Sequence, residues 1–241
     1  VFDIYQSTEA SFKKPFRLDK MRAVKDEKAA HGITVGQSPA TILSHDIVNS
    51  RGNSELLGKK GLKNHQFVLE GTTRYEGKSV YKISFRKKTE SKKIGYKGFL
   101  YLDEKSLAFL YIKTSIEDED LPQVKFGNAP IRLLMKMMDI KISMLDDETT
   151  ISYKKVGNQY FLNRVSSSGL LSMKSERENY DFQLDSKMNY VVTEIDLENP
   201  ISFDNDETLS MGKQIEGQQS TYDSTFWKDY TIIMPDQDFG E

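Results

Sequence analysis

The chain has 241 residues, with 34 basic and 36 acidic side chains, so its formal net charge at neutral pH is −2. A chain this close to neutral lacks the positive field that attracts nucleic acid, and we expect no nucleic-acid partner. It contains no cysteine, which excludes disulfides, thiolate nucleophiles and the zinc or iron–sulfur sites that cysteine builds. It also lacks a run of about 18 apolar residues, so we expect no membrane-spanning helix.

Residues 1–65, the N-terminal region, are predicted to hold one strand and one helix. The stretch VFDIY at residues 1–5 is apolar and aromatic, as expected of a strand. Because Val1 is not an initiator Met, we expect the chain to start inside a longer gene product. Ser38 as N-cap and Pro39 at the first helical position predict a helix of about ten residues, with Ile42, Leu43, Ile47 and Val48 at helical spacing.

Residues 66–197 alternate between strand-like segments and short turns, which predicts an antiparallel meander. The turns are Glu76-Gly77, residues 103–106 and residues 156–158. Glycine in the first and third tolerates the positive φ that tight hairpins need. The predicted strands are residues 66–75, 78–86, 94–102, 107–116, 149–155, 159–165, 170–174, 180–184 and 188–197. Because strands joined by short turns are neighbours, we expect one continuous sheet.

Two segments depart from the strand pattern. Residues 131–138 are predicted to be helical, because Ile131, Leu134, Met135 and Met138 fall on one face at helical spacing. Residues 198–241 are predicted to form an acidic loop and then an aromatic C-terminal strap. No repeat and no linker rich in Gly, Ser or Pro divides the chain, so we expect residues 1–241 to form a single domain.

The central hairpin is predicted to be apolar on both faces, since alternate residues of a strand point to opposite sides. The register that supports this pairs Leu102 with Leu107 around the turn. One face then carries Gly98, Leu100, Leu102, Phe109 and Tyr111, and the other carries Phe99, Tyr101, Leu110 and Ile112. In the preceding strand the apolar side is formed by Tyr81, Ile83 and Phe85.

A sheet that is apolar on both faces needs cover on both, or it curls so that one face lines an interior. The sequence therefore predicts a mostly β, α+β fold: a single curved antiparallel sheet, an open half-barrel, with one or two short helices on its concave side. Such a concavity is a candidate apolar pocket. The candidate ligand-binding residues are Tyr81, Ile83, Phe85, Leu100, Leu102, Phe109 and Tyr111. Alternatively, these residues form only a two-layer core.

No motif of a catalytic or metal site is present. The stretch GKS at residues 77–79 precedes a strand, whereas a phosphate-binding loop needs a helix. None of the three histidines has another at metal-ligand spacing; they are His31, His45 and His65. We therefore predict no catalytic residue, no metal and no cofactor.

The charged clusters are predicted to be solvated. The acidic runs at residues 117–120, 146–148 and 204–207 lack the spacing of a calcium loop and are interpreted as turns. Residues 86–97 hold six bases and one acid and are interpreted as a solvated loop. The dipeptide His45-Asp46 is expected to lie in the first helix, as a surface or cap contact.

Several stretches together resemble the C-terminal region of secreted carboxypeptidase-regulatory-like proteins of Bacteroidetes-type bacteria. They are VFDIY (1–5), YEGKSVYKISFRKK (75–88), GYKGFLYLDEKSLAFLYIK (95–113), TISYKKVGNQYFLNRV (150–165), VVTEID (191–196) and FWKDYTII (226–233). The phrase in which a Gly-bearing strand leads through Tyr-Leu-Asp and a tight turn into an Ala-bearing strand is also similar to the half-barrel of the LolA and LolB lipoprotein carriers. That resemblance implies an acyl chain held on the concave apolar face.

The expected function is that of a non-enzymatic cell-envelope protein, in the periplasm or associated with the outer membrane. Its partner is expected to be an apolar or lipid-like ligand, or a lipoprotein through its lipid anchor. An alternative is a structural or interaction module that holds envelope proteins or polysaccharide. A third is a hydrolase whose carboxylates meet only in the folded chain.

Overall fold

A computed structural model of the chain describes residues 2–5, 16–20, 38–49, 54–199, 202–204, 206–210, 212–213, 215 and 224–230. The chain divides into two compact units, Val1–Ile42 with Asp196–Glu241, and Leu43–Ile195. The predicted single domain stays a prediction. His31 and both ends of the aromatic strap lie outside the described residues.

The first unit contains a small two-stranded sheet. Strand β1 (Phe2–Ile4) pairs antiparallel with β2 (Phe16–Leu18), which confirms the strand expected at residues 1–5. The Arg17 guanidinium donates to the Asp3 carboxylate at 2.7 Å across this pair. Phe16 is fully buried, and its carbonyl accepts the Leu209 N–H at 2.7 Å.

Two short helices precede the large sheet. Helix α1 (Pro39–Ser44) begins where predicted, and the Ser38 hydroxyl accepts the Thr41 N–H at 3.2 Å. It has six residues, shorter than expected, because the chain turns at residues 47–49. Helix α2 (Lys59–Asn64) was not predicted, since no apolar periodicity marks so short a helix.

The second unit contains a seven-stranded antiparallel sheet whose strand order follows the chain. The strands are β3 (His65–Tyr75), β4 (Lys78–Lys87), β5 (Tyr96–Asp103), β6 (Phe109–Ile116), β7 (Lys141–Val156), β8 (Gln159–Ser175) and β9 (Tyr180–Val191). The sheet is open, as in a half-barrel, because the edge strands β3 and β9 do not pair with each other. The predicted mostly β fold with one large antiparallel sheet is confirmed.

Five short strands were predicted between residues 149 and 197, and the structure has three longer ones in their place, β7, β8 and β9. Residues 159–165 and 170–174 belong to one strand, β8, and residues 180–184 and 188–191 to another, β9. The small polar residues at 166–169 continue the ladder with β7. The acidic run at 146–148 was wrongly predicted as a turn: it lies inside β7, where the partner strand satisfies its backbone.

The hairpin turns fall where glycine and short polar residues predict them. Glu76 and Gly77 have φ of 47° and 77°, the left-handed conformation of a tight two-residue turn. Asp103 closes the β5–β6 turn by accepting the N–H groups of Ser106 at 2.7 Å and Lys105 at 3.1 Å. These hydrogen bonds hold the pKa of the Asp103 carboxyl below its usual value.

Three further helices complete the described structure. A 3-10 helix, Asp118–Gln123, follows β6. Helix α3 (Ala129–Met137) confirms the helix predicted at residues 131–138. Helix α4 (Ser224–Asp229) occupies the middle of the aromatic strap, and the rings of Phe226 and Tyr230 stack at 4.4 Å.

A buried carboxylate fixes the 3-10 helix to the sheet. Asp120 is fully buried, and it accepts hydrogen bonds from Lys87 Nζ at 2.8 Å and from Gly95 N–H at 2.8 Å. Gln123 Nε2 also donates to Asp120, at 2.9 Å. The hydrogen bond between Asp120 and Lys87 raises the pKa of the lysine. The predictions of a solvated acidic turn at 117–120 and a solvated basic loop at 86–97 are thus wrong for these two side chains.

We predict that Asp120→Ala lowers the free energy of unfolding by about 2–3 kcal/mol, because three donors lose their acceptor. The control is Lys97→Ala, which breaks an ion pair whose Asp118 partner is 84% exposed; it should cost less than about 1 kcal/mol. Urea unfolding measures both. Equal losses in the two variants would show that Asp120 contributes no more than a surface charge.

Candidate functional site

One continuous apolar row crosses the large sheet. Ile83 of β4 lies opposite Leu100 of β5, which lies opposite Ile112 of β6. Ile112 lies opposite Ile151 of β7, and Ile151 opposite Val165 of β8. We call the face that carries this row the inner face and the opposite one the outer face. Burial of aliphatic side chains from five neighbouring strands makes this row the centre of the core.

Six of the seven predicted ligand-binding residues share the inner face, by the register of β4, β5 and β6. They are Tyr81, Ile83, Phe85, Leu100, Leu102 and Phe109. The seventh, Tyr111, lies opposite Tyr101 on the outer face. Its predicted position was wrong.

The predicted register of the central hairpin was wrong for two reasons: the turn is longer than expected, since β6 begins at Phe109, and a β-bulge follows it. Leu102 pairs with Phe109 instead of Leu107, and the register shifts between Tyr101 and Leu102. Leu107 lies in the turn with a φ of 57°. A shift of one residue moves a side chain to the other face of a sheet. Ile112 is therefore on the inner face, opposite to its predicted side.

The outer face carries an aromatic cluster, which confirms that the central hairpin is apolar on both sides. Tyr101 and Tyr111 stack at 5.7 Å, and the Tyr75 ring lies 5.4 Å from each. The Phe99 ring packs 5.2 Å from the Tyr101 ring, and the Lys82 ammonium lies 5.1 Å from the centre of the Phe99 ring. Burial raises the pKa of Tyr75 and Tyr111. The ring contacts join side chains of β3, β5 and β6 across this face and stabilise the sheet.

A short segment packs on the centre of the inner face. We call residues 46–49 and 54–57 together the covering segment; the residues between them lie outside the described ranges. Leu56 is buried against the apolar row, and Ile47, Val48 and Leu57 pack beside it. Phe85 and Leu100 are each only 3% exposed. A ligand would therefore reach them only if the covering segment moved.

Polar contacts tie the covering segment to the sheet at two places, and at one of them the Tyr96 hydroxyl donates to Glu55 Oε2 at 2.9 Å. The Tyr153 hydroxyl donates to Asp46 Oδ1 at 3.1 Å and accepts the Val48 N–H at 3.3 Å. Asn49 Nδ2 donates to Asp46 at 2.9 Å. Asp46 lies beyond α1 and is buried, so the predicted surface or cap contact of His45-Asp46 was wrong for the aspartate. Burial raises the pKa of Tyr153 and lowers that of His45.

A second set of contacts holds the end of the covering segment through α2. His65 is buried; its Nδ1 lies 2.8 Å from the Gly61 carbonyl, and its Nε2 accepts the Tyr96 N–H at 2.9 Å. This pattern requires the neutral ring protonated on Nδ1. A Cβ at Gly61 would overlap the backbone of Leu56, so only glycine permits this close approach.

A polar band crosses the inner face beside the apolar row. Thr114, Thr149 and Ser167 lie opposite one another on β6, β7 and β8, and the last two hydroxyls are 3.0 Å apart. Asp147 lies two residues before Thr149 on this face, and it accepts the Ile116 N–H at 3.3 Å. Burial raises the pKa of the Asp147 carboxyl above its usual value.

Two grooves lie away from the apolar row. One, of about 380 Å³, lies along α3 and the start of β7, where Phe126, Met135 and Ile142 line it. The other, of about 650 Å³, is lined by Lys92, Ile94 and residues 122–125. None of the seven predicted ligand-binding residues lines either groove.

No group of three or more His, Cys, Asp or Glu side chains in the described ranges could hold a metal ion. His45 and His65 each hold structural positions, and His31 lies outside these ranges. Over the same ranges, no helix is long and apolar enough to cross a membrane.

Sequence reasoning missed the covering segment and its anchor. The local signals are Ile47 and Val48, which were assigned to the first helix, and the Leu56-Leu57 pair, and neither pair shows what it contacts. Asp46 and Tyr153 are 107 positions apart, so only the fold brings them together. Comparison with known proteins adds no assignment: the chain matches no protein-family model, no curated protein and no solved structure.

We predict that Asp147→Asn makes the protein more stable relative to wild type as the pH rises. Because the folded-state pKa of Asp147 is raised, the folded protein binds more protons than the unfolded chain, and stability falls from the ordinary carboxyl pKa of about 3.9 upward. Asparagine keeps an oxygen for Ile116 and removes this loss. Urea unfolding across a pH series measures the difference.

The control variant is Glu90→Gln, which removes one exposed carboxylate from a turn and should leave the pH dependence of stability as in wild type. A destabilised Asp147→Asn variant at neutral pH would mean that the carboxylate itself stabilises the inner face.

Proposed function

We propose that this chain is a non-enzymatic cell-envelope protein, in the periplasm or at the outer membrane, that binds an apolar or lipid-like chain on the inner face of its half-barrel. A lipoprotein bound through its lipid anchor belongs to the same proposal. The observation that carries it is the apolar row across five strands: among the described residues, all the side chains outside the strands that pack on this core belong to the covering segment.

Several features of the covering segment support displacement by a ligand. Its buried apolar side chain in the core is Leu56, and hydrogen bonds from Tyr153 to Asp46 and from Tyr96 to Glu55 attach it to the sheet. Burying one leucine contributes about 2–3 kcal/mol, an amount that an acyl chain in the same place would replace. At the edge of the covered area, Ile83, Leu102 and Phe109 are only partly buried, so they offer a start for such a chain.

We predict that Leu56→Ala increases the affinity for a fluorescent sixteen-carbon fatty acid at least about tenfold, which corresponds to about 1.4 kcal/mol. The smaller side chain removes part of the contact that the ligand must displace. The same change should destabilise the free protein by about 2–4 kcal/mol, as expected of a buried leucine. Fluorescence titration and urea unfolding measure the two effects.

The matched control is Leu145→Ala, which shortens a leucine that is 41% exposed on β7 and should change neither quantity. A simple two-layer core gives a different result: the variant would accept a benzene-sized molecule in a closed cavity and would not bind the fatty acid. Native mass spectrometry of wild-type protein purified from cells gives a separate test, in which an acyl-sized adduct is expected.

A second candidate, an interaction module for envelope proteins, is favoured by the free edge of the sheet. Among the described strands β3 pairs with β4 alone, and Val68 and Leu69 on it are 46% and 61% exposed. An exposed apolar edge strand is a site where an extended segment of another protein adds as a strand.

This candidate predicts that a photo-reactive amino acid at Leu69 crosslinks to a discrete envelope protein, and that Val68→Lys abolishes the crosslink without loss of stability. A lysine on an edge strand opposes strand addition. The control is the same photo-reactive residue at Leu145. Equal crosslinking from both positions, or none from Leu69, would exclude this use of the edge.

A further inference from the structure

Helix α3 exposes an unusual amount of apolar surface. None of its residues is buried. Five large apolar side chains on it and at its end are between 36% and 66% exposed: Ile131, Leu133, Leu134, Met137 and Met138. They are five of the eleven large apolar side chains found exposed among the described residues. A contiguous exposed apolar patch of this kind marks an interaction surface.

The contacts that hold α3 involve its ends rather than its apolar side chains. At the start, Asn128 Oδ1 accepts the Ile131 N–H at 3.0 Å. At the end, the Met137 and Met138 carbonyls accept from Arg177 Nη1 at 3.0 Å and from Ser175 Oγ at 3.2 Å. These bonds fix the helix to the β8–β9 turn. They leave Leu133, Leu134 and Met137 each more than half exposed.

The charge around α3 is positive, in contrast to the whole chain. Between residues 121 and 145 there are four bases and a single acid, Asp139; the bases are Lys125, Arg132, Lys136 and Lys141. The acid is already engaged, since it accepts the Glu176 N–H at 2.9 Å and lies 3.6 Å from Lys141 Nζ. Of the four bases, Lys141 is the one that faces this acid, and the adjoining β8–β9 turn adds Glu176 and Glu178 beside Arg177, so the charge around the exposed apolar side chains stays positive. Such a surface is complementary to one that is apolar inside and anionic outside.

We infer that α3 docks on the surface of a membrane that contains anionic lipids. The helix has nine residues and is about 14 Å long, so it lies in the interface and does not cross the bilayer. Its leucines and methionines enter the region between head groups and acyl chains, and its bases contact the anionic head groups. This docking does not depend on whether the inner face binds a ligand.

Sedimentation with lipid vesicles tests the inference on the full chain. Wild type should sediment with vesicles of phosphatidylglycerol and phosphatidylcholine, less with phosphatidylcholine alone, and less when salt is added. Leu133→Asp/Met137→Asp should reduce the bound fraction at least about tenfold, because it places two charges in the apolar surface. Lys125→Gln/Lys136→Gln should weaken binding and reduce its dependence on salt.

The matched control is Leu107→Asp/Leu197→Asp, which changes two leucines that are 60% and 48% exposed outside α3. It should bind vesicles as wild type does, and circular dichroism should show that every variant is folded. The inference is overturned if wild type does not bind the anionic vesicles, if it binds neutral vesicles equally well, or if the α3 variant binds as wild type does. It is also overturned if sedimentation velocity shows a wild-type dimer that Leu133→Asp/Met137→Asp dissociates, since α3 would then be an interface between copies.

Discussion

The second unit depends on the packing of Leu56 against the apolar row that joins β4 to β8. Five strands each contribute one aliphatic side chain to this row, and the register of the sheet aligns them. Without cover, the row would expose aliphatic side chains of five strands to water. The covering segment removes that surface with very few residues. Because so few residues form this cover, we propose that an apolar ligand displaces them when it binds the inner face.

Polar groups determine where the covering segment and the 3-10 helix attach. Asp46 meets Tyr153 next to the apolar row, and Asp120 meets Lys87 and the Gly95 N–H at the end of β4. A buried carboxylate is tolerated only when its oxygens accept hydrogen bonds from nearby donors. These contacts therefore select one position for each segment, whereas apolar packing alone would tolerate several.

The two proposed lipid contacts lie on different parts of the molecule and differ in the interactions that hold the lipid. The inner face would bind a single chain by replacing protein side chains in an existing core. Helix α3 would bind a surface, because its apolar side chains are already exposed and its neighbours are basic. Variants at Leu56 and at Leu133 with Met137 separate the two, so either contact can fail while the other stands.

The sequence by itself determined the antiparallel meander, the hairpin at Glu76-Gly77, the start of α1 and the helix near Ile131, because these follow from local periodicity and turn chemistry. It also placed six of the seven candidate ligand-binding residues on the face that carries them in the structure. Only the tertiary structure decided the register at Leu102, where a bulge outweighs alternation, and the unbroken strand β8, where pairing with β7 outweighs the polar composition of residues 166–169. The cover over Phe85 and Leu100, like the exposure of α3, depends on segments far apart in the chain, and no local pattern encodes which distant surface a side chain will meet.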